Sequence, residues 1–414
     1  MRLNEQKMKN GLPIVLTMVI FGSSCSGQQI DQTKIQKHIK TLSSDSLQGR
    51  GTGTEGEKMA AAYIQSEFIK IGLEPKGDKF SYIQSFPFKS GSHGTGDEGE
   101  AGNIIGYLNN QRSSTVIIGA HYDHLGNGNQ GSSLDAYPQG KIYNGADDNA
   151  SGVAGVLELA RYFSTNGKKE NYNFLFLCFS GEELGLYGSK FFTEHPSIDL
   201  SAANYMINLD MIGRLNPTTN GLVVSGTGTS PVWENLLKRL STDHLKIKTD
   251  SAGVGPSDHT SFYLKNIPVL HFFTGSHSDY HKPSDDWDKI NYLGEAEILK
   301  LIVKLVDQLD GQPKLTFLTT KNKSMSGTST FKVTLGVMPS YSADVKGLQI
   351  DGVSDGKPAQ KAGMQAGDII IQMGELQITD IQTYMEALGK FDKGQTLPVK
   401  VKRNGSELTL TVTF

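Results

Sequence analysis

Several apolar segments of this chain end in acidic or histidine side chains, and this pattern constrains the fold more than any other feature. The segments are rich in Val, Ile, Leu and Phe, as in "VIIGAHYDH" and "FLFLCFSGEELG". Continuous apolar runs are typical of buried parallel strands, whose carboxyl ends leave the core at one edge of the sheet. We therefore expect one site to contain the polar residues that follow these runs, which are His121, Asp123, Asp148, Glu182, Glu183, Asp210 and His281.

From residue 115 onward, apolar strands alternate with amphipathic helices. This alternation indicates an α/β fold, a three-layer sandwich in which helices cover both faces of a mostly parallel central sheet. The predicted strands are 115–120, 172–179, 203–209 and 267–273, and the predicted helices are 151–164, 185–194, 230–241 and 293–309.

The segment "GRGTGTEG" contains Gly51, Gly53 and Gly56 at the spacing of a dinucleotide-binding loop. Such a loop follows a buried strand, because its geometry holds the phosphates between the strand and the next helix. No apolar strand precedes residue 50, and residues 31–75 are predicted to be helical. We therefore interpret this segment as a glycine-rich entry to a helix.

The first 25 residues resemble an export signal. They contain basic residues, the apolar stretch "GLPIVLTMVIF" and then small residues ahead of Cys25. The stretch is too short for a typical membrane-spanning helix, which favours a secretory signal. A cysteine after small residues resembles a bacterial lipoprotein signal, and it predicts lipidation of Cys25 and membrane attachment through the lipid only, at the periplasmic face or cell surface. The alternative is ordinary secretion after cleavage near Ser24.

The composition limits the other classes of function. A net charge of −3 and a pI near 6.4 provide no basic field for nucleic acid, so we expect no nucleic-acid partner. Only Cys178 remains after Cys25, so the exported chain would have no intramolecular disulfide. Since Cys178 lies in an apolar run, we expect it to be a small buried hydrophobic residue.

The composition and the hydrophobic pattern of the sequence change after Gly311. We predict a polar linker at residues 312–327 and a small β-rich domain at residues 328–414. The sequence "PAQKAGMQAGDIIIQMGELQI" resembles a PDZ domain. This resemblance implies that Leu335, Gly336 and Val337 form the loop that receives a peptide carboxylate, with the peptide added as a strand. The alternative is a closed groove in a domain that only packs on the rest of the protein.

The predicted site has the donor types of a catalytic metal centre. Two histidines and three carboxylates, with one further glutamate, suit two divalent ions with nitrogen and oxygen ligands and an open position for water. Since side chains alternate along an extended segment, one of the adjacent Glu182 and Glu183 can bind metal while the other faces the water as general base.

The motifs H-x-D, GADDNASG, EELG, NLDM and YHKPSD, in this order, resemble metallopeptidase family 28, the di-zinc aminopeptidases. The resemblance covers residues 31–311 and implies a fold of the zinc-dependent exopeptidase type with two zinc ions. By resemblance, Asp148 bridges both ions, Glu182 is the general base, Asp123 orients the region around His121, and Tyr280 donates to the tetrahedral oxyanion. The remaining metal ligands would be His121 and Asp210 at one ion and Glu183 and His281 at the other.

The leading prediction is therefore an exported zinc aminopeptidase that removes N-terminal residues from peptides, with a PDZ domain that binds a peptide or partner. One alternative is a glutaminyl cyclase or carboxypeptidase on the same scaffold, for which Arg214 is the nearby candidate to bind a terminal carboxylate. Another is a PDZ scaffolding protein with an inactive peptidase body. We expect Asp258 and His259 to lie just outside the ligands and His271 and His277 to bind no metal.

Overall fold

The computed structural model of the chain describes residues 29–90, 97–128, 133–135, 137–320, 333–339, 345–353, 356–379 and 381–414. The predicted export signal with Cys25 and part of the predicted linker lie outside these residues. Within the described part of the chain, no helix is both long enough and apolar enough to cross a membrane.

A nine-stranded sheet forms the centre of the larger domain. Eight strands follow the order β1-β3-β5-β4-β6-β9-β7-β8, and β2 pairs with β3. The four central strands β5, β4, β6 and β9 are parallel neighbours, whereas the pairs at β1–β3, β2–β3, β3–β5 and β7–β9 are antiparallel. The strands are β1 (Glu74–Pro75), β2 (Ile83–Lys89), β3 (Glu98–Leu108), β4 (Thr115–His121), β5 (Asn173–Phe179), β6 (Ala203–Leu209), β7 (Gly221–Ser225), β8 (Lys246–Thr249) and β9 (Val269–Phe273).

Both faces of this sheet are buried. Successive side chains of a strand point to opposite faces, so Val116 and Ile118 join one apolar cluster while Ile117 joins the other. The first cluster also contains residues of α1, α2, α3, α5 and α7, and the second contains residues of α4 and α6. The predicted three-layer α/β fold is thereby confirmed. The helices are α1 (Gln32–Leu42), α2 (Glu55–Ile71), α3 (Gly152–Thr165), α4 (Tyr187–Glu194), α5 (Trp233–Leu240), α6 (His259–Tyr263) and α7 (Tyr292–Leu309).

Each of the predicted strands and helices corresponds to an observed element. The predicted strand 203–209 has the observed bounds of β6, and the predicted helix 293–309 differs from α7 by one residue. The prediction omitted the β2–β3 hairpin and the edge strands β7 and β8. These strands are short or partly exposed and therefore lack the long apolar runs of the central strands.

Two smaller predictions also agree with the structure. Cys178 is a free cysteine, and its side chain is fully buried in the sheet. The glycine-rich segment does lead into a helix, since Thr54 caps α2 by accepting a hydrogen bond from the N–H of Glu57.

The C-terminal part of the chain forms a separate antiparallel sheet with its own apolar core. Its strands pair in the order β10-β11-β12-β14-β15, with β13 on β12. The elements are β10 (Val337–Pro339), β11 (Leu348–Val353), α8 (Pro358–Lys361), β12 (Ile369–Met373), β13 (Leu376–Gln377), α9 (Ile381–Leu388), β14 (Thr396–Arg403) and β15 (Ser406–Thr413).

A buried histidine links α1 and α2 and makes the fold sensitive to acid. The Nδ1 atom of His38 lies 2.8 Å from the hydroxyl of Tyr63, and burial lowers the pKa of His38 to about 4. Between pH 6.5 and 4 the unfolded chain therefore takes up a proton that the folded chain excludes, and stability falls as the pH falls. This group alone should cost about 3 kcal/mol of unfolding free energy by pH 4.

We expect His38→Asn to lose less stability than the wild type between pH 7 and pH 4.5, because asparagine has no titrating ring. Urea unfolding at a series of pH values would measure this difference. The control is His195→Asn, which makes the same substitution at an exposed histidine. If the unfolding free energies of His38→Asn and the wild type changed in parallel with pH, the conclusion that His38 makes the fold sensitive to acid would be wrong.

Candidate metal centre

The predicted site residues meet at the carboxyl edge of the four parallel strands. His121 ends β4, Asp210 directly follows β6, and Glu182 and Glu183 follow β5. Asp148 lies in the turn 146–151 that leads into α3, where its own backbone is not helical, and His281 lies in the loop after β9. Since these strands are neighbours in the sheet, their ends bring together residues from distant parts of the sequence.

A first cluster of donors forms around His121. Its Nε2 atom lies 3.3 Å from Oδ1 of Asp148 and 3.3 Å from Oδ1 of Asp210. Its Nδ1 atom lies 3.2 Å from the backbone carbonyl of Asp123, which can accept the ring N–H. The Nε2 lone pair is then directed toward the two carboxylates, as in a histidine that binds metal.

A second cluster forms around the other oxygen of Asp148. The Nε2 atom of His281 lies 3.2 Å from Oδ2 of Asp148 and 3.3 Å from Oε2 of Glu183. The two oxygens of Asp148 thus belong to different clusters, as required of a carboxylate between two cations. His124 also contacts this cluster, with its Nδ1 atom 2.8 Å from Oε1 of Glu183.

These separations fit zinc. Donor atoms bound at about 2.0–2.1 Å in tetrahedral geometry lie about 3.3–3.4 Å apart. The four contacts that join Asp148, Asp210 and Glu183 to His121 and His281 measure 3.2–3.3 Å. The nitrogen and oxygen donors are also those that zinc accepts at catalytic sites.

The electrostatics of the site separate its two adjacent glutamates. Burial and neighbouring carboxylates raise the pKa of Glu182 well above its usual value, although His121 opposes the shift. Burial acts in the same direction on Glu183, but the charge of His281 and the hydrogen bonds from His124 and His281 together outweigh it and lower the pKa of Glu183 to about 2. The pKa values of the two adjacent carboxyl groups are therefore shifted in opposite directions.

The carboxylate of Asp123 accepts a hydrogen bond from the backbone of Glu182 and also lies against the ring of His121. Its Oδ1 accepts a hydrogen bond of 3.2 Å from the N–H of Glu182, and its Oδ2 accepts one of 2.8 Å from the hydroxyl of Thr52. The distance from Oδ1 to Nδ1 of His121 is 3.7 Å. Asp123 therefore joins the end of β4 to the turn that carries Glu182.

The turn that carries Asp148 is fixed by a residue that the sequence analysis did not select. Asp285 is fully buried, and its Oδ2 accepts hydrogen bonds from the backbone N–H groups of Asp147 and Asp148 at 2.9 and 3.1 Å. The Asp148–Asn149 peptide bond is cis. Burial raises the pKa of Asp285 to about 6.

Arg50 was also missed, although it lies in the glycine-rich segment. Its guanidinium is buried and donates to the backbone carbonyls of Tyr122 at 2.7 Å, Leu42 at 2.5 Å, Asn144 at 2.7 Å and Gly145 at 3.0 Å. Tyr122 lies between His121 and Asp123, and Gly145 lies three residues before Asp148. Arg50 therefore joins two segments that carry predicted ligands.

The sequence contained a weak signal for His124 and none for the role of Arg50. "HYDH" places a second histidine three residues after His121. The partners of Arg50 lie up to 95 residues away along the chain, so only the folded backbone brings them together.

The other candidates lie around the ligands. The ring of Tyr280 stacks on that of His281 with centroids 3.9 Å apart.

Asp258 and three further histidines are the remaining candidates from the sequence. Burial raises the pKa of Asp258 to about 7. The buried ring of His259 stacks on that of His271, with ring centroids 4.5 Å apart. His277 contacts Oδ2 of Asp147 at 3.2 Å. Among the described residues, the groups of donors that could hold a metal ion are His121, Asp148 and Asp210, and His124, Asp148 and Glu183. His271 and His277 belong to neither group, and His281 contacts the second group through Asp148 and Glu183.

The predicted carboxylate loop of the C-terminal domain leads into β10. The side chain of Leu335 is fully buried in the core, and its carbonyl accepts a hydrogen bond from the N–H of Ala359. Gly336 has a φ of +73°, which favours glycine. Its N–H donates to the hydroxyl of Thr334 at 3.1 Å, and Val337 begins the strand.

Two family models match the chain. The model described as peptidase family M28 matches residues 103–306, which include the predicted metal ligands, and the PDZ domain model matches residues 326–414.

Curated relatives include aminopeptidases. Aminopeptidase YwaD of Bacillus subtilis is 32% identical over 204 residues, which are 46% of this chain and 40% of that protein. Leucine aminopeptidase 1 of Colletotrichum graminicola is 26% identical over 336 residues, covering 75% and 78% of the two chains. The chain spans less than half the length of several curated relatives that it matches.

Among solved structures, a Zn-dependent exopeptidase from Parabacteroides distasonis has a similar fold. The TM-score is 0.56 with 18% sequence identity, and the match covers 68% of this chain and 99% of that one.

Proposed function

We propose that this chain, in which residues 103–306 match the model of peptidase family M28 and residues 326–414 match the PDZ domain model, is an exported two-zinc aminopeptidase. It would remove N-terminal residues from peptides. The observation that carries the proposal is the pair of donor clusters that share Asp148, with Glu182 beside them.

The proposed ligands are the residues whose donor atoms have the separations of a tetrahedral zinc site. His121 and Asp210 would hold one ion, Glu183 and His281 the other, and Asp148 both. When bound, the zinc ions would polarise the scissile carbonyl and lower the pKa of a water molecule.

Three side chains of the protein would then move the proton of the attacking water and stabilise the negative charge that develops on the substrate oxygen. Glu182 takes the proton from the attacking water and returns it to the departing amine. Asp123 holds the backbone of Glu182 and thereby fixes the direction of that carboxylate. Tyr280, stacked on His281, is suited to donate a hydrogen bond to the oxyanion.

An ion pair disfavours the carboxypeptidase alternative. Arg214, the candidate for binding a substrate carboxylate, donates to Oδ2 of Asp279 at 2.5 Å. Lys289 contacts the other oxygen of the same carboxylate at 2.6 Å. Both cations therefore contribute to holding the loop that carries His281.

A small apolar cluster beside the ligands supports a preference for apolar N-terminal residues. Met211 follows the ligand Asp210, and Tyr280 precedes the ligand His281; both pack with Val223 and Phe273. Tyr280 is the one of these four residues that is partly exposed, so an apolar substrate side chain would gain free energy by burial against its ring.

The N-terminal sequence supports export and lipid attachment at Cys25, and the C-terminal domain supports binding of a peptide. We propose that the loop Leu335–Gly336–Val337 receives a peptide carboxylate, displacing the hydroxyl of Thr334 from the N–H of Gly336.

The purified protein should bind two zinc ions per chain and hydrolyse leucyl chromogenic substrates faster than aspartyl ones. A chelator should abolish the activity, and added zinc should restore it. Metal content by mass spectrometry and a panel of aminoacyl, C-terminally free and N-terminal glutaminyl peptides would test these expectations. Absence of aminopeptidase activity in the fully zinc-loaded protein would refute the proposal, and cyclisation of glutaminyl peptides by protein with one zinc would favour the cyclase alternative.

A further inference from the structure

His124 is held firmly beside the second donor cluster. Its side chain is fully buried, and its backbone N–H donates to the carbonyl of Arg50 at 3.1 Å. The ring packs against Gly145, where an added Cβ atom would lie 2.5 Å from the ring carbon Cδ2. The imidazole is therefore fixed both through its backbone and by the bare glycine beneath it.

The distances around His124 differ from those around His281. The Nε2 atom of His281 lies at nearly equal distances from its two carboxylates, 3.2 Å from Asp148 and 3.3 Å from Glu183. The Nδ1 atom of His124 lies 2.8 Å from Glu183 but 3.8 Å from Asp148. A separation of 2.8 Å is that of a hydrogen bond to a carboxylate and is shorter than the separation of two tetrahedral zinc ligands.

We propose that His124 is a positioning residue of the second metal site: its Nδ1–H donates to Oε1 of Glu183, which leaves Oε2 to bind the metal. This inference rests on the proposed metal centre. A carboxylate has only acceptors, so the ring hydrogen must lie on Nδ1. The Nε2 atom of His124 is buried without a hydrogen-bond partner among the described residues, so the polar contact of the ring is through Nδ1.

The hydrogen bond matters because Glu183 can rotate about its side-chain bonds. Fixing Oε1 directs Oε2 toward His281 and Asp148 before an ion arrives, and this lowers the entropy lost on binding. Loss of such a partner typically weakens metal binding by about 10- to 100-fold.

Two substitutions in the full chain separate positioning from direct ligation. His124→Ala removes the donor, whereas His124→Asn retains an N–H at the place of Nδ1, because the Asn Nδ2 atom has the same covalent position. Zinc affinity would be measured by competition with a chromophoric chelator, and unfolding of the metal-free variants would verify that they fold. The exposed His195 provides the control His195→Ala.

For His124→Ala we expect one of two zinc ions to bind about 10- to 100-fold more weakly, with the other unchanged. His124→Asn should bind both ions like the wild type, and its Co²⁺-loaded form should keep the visible absorption intensity, since the number of ligands is unchanged. Wild-type zinc affinity in folded His124→Ala would overturn the inference. A loss in His124→Asn equal to that in His124→Ala, with altered Co²⁺ absorption, would also overturn it in favour of direct ligation. A wild-type chain that binds no zinc would refute the proposed metal centre instead.

Discussion

Glutamine in place of Glu182 is expected to lower kcat by about 10²- to 10⁴-fold while both zinc ions remain bound. Glutamine has nearly the same shape but cannot accept the proton of the attacking water. The measurements are turnover of a leucyl chromogenic substrate and zinc content by mass spectrometry. Turnover near the wild-type rate would show that Glu182 is not the base.

Glu183→Gln is the matched control, because the two glutamates are adjacent and chemically identical. Both oxygens of Glu183 face histidines, at 2.8 Å from His124 and 3.3 Å from His281. Its loss should therefore release metal, and activity should recover partly at high zinc concentration. Zinc should not rescue Glu182→Gln, because its metal sites are already filled.

The opposite pKa shifts of the two glutamates support this division of roles. Burial raises the pKa of Glu182, and a carboxyl that holds a proton at higher pH is the better acceptor. Bound cations would reduce this shift by favouring the ionised form. Glu183 has a pKa of about 2 despite its burial, because the charge of His281 and the hydrogen bonds from His124 and His281 stabilise its ionised form.

The central strands and the predicted metal ligands could be recognised from sequence because local patterns encode them. A strand buried on both faces must be apolar throughout, as "NFLFLCF" in β5 is. The polar residue after it must then lie at the sheet edge. The edge strand β8, "KIKT", is only partly buried and has no such pattern.

The residues that support the ligands could not be recognised in this way. Arg50 donates to three backbone carbonyls that lie 72–95 residues away, besides that of the nearby Leu42. Asp285 accepts from backbone N–H groups 137 and 138 residues away. Backbone carbonyls and N–H groups are the same at every position, so no side chain in the sequence marks these partners. The sequence does predict that the glycine-rich segment binds no nucleotide, because no apolar strand precedes it. The contacts of this segment with residues 122–126 depend on the folded backbone and have no signal in the sequence.

Arg50→Met is expected to lower the free energy of unfolding by at least about 3 kcal/mol. It leaves the backbone carbonyls of Tyr122, Leu42 and Asn144 without a donor, each at about 1–3 kcal/mol if buried and unsatisfied. The carbonyl of Gly145 keeps the hydrogen bond from the N–H of Ala150. A loss of this size is a large part of a typical total of about 5–15 kcal/mol. Urea unfolding would measure it. The control is Arg112→Met, since the exposed Arg112 also donates to backbone carbonyls but water can replace it.

Arg50→Met should lose more unfolding free energy when a chelator keeps the protein free of metal than when zinc is present, because Arg50 also supplies positive charge to an acidic centre. Burial lowers its pKa to about 10, so it stays charged at neutral pH near Asp148 and Asp123. Bound zinc would offset those carboxylates itself, which makes the charge of Arg50 less important. Arg50→Lys keeps the charge but cannot reach four carbonyls. Its decrease in unfolding free energy should therefore be smaller than that of Arg50→Met and should depend less on zinc. If Arg50→Met and Arg50→Lys responded equally to zinc, the charge of Arg50 would have no part in stabilising the metal-free centre, and its hydrogen bonds alone would account for its effect.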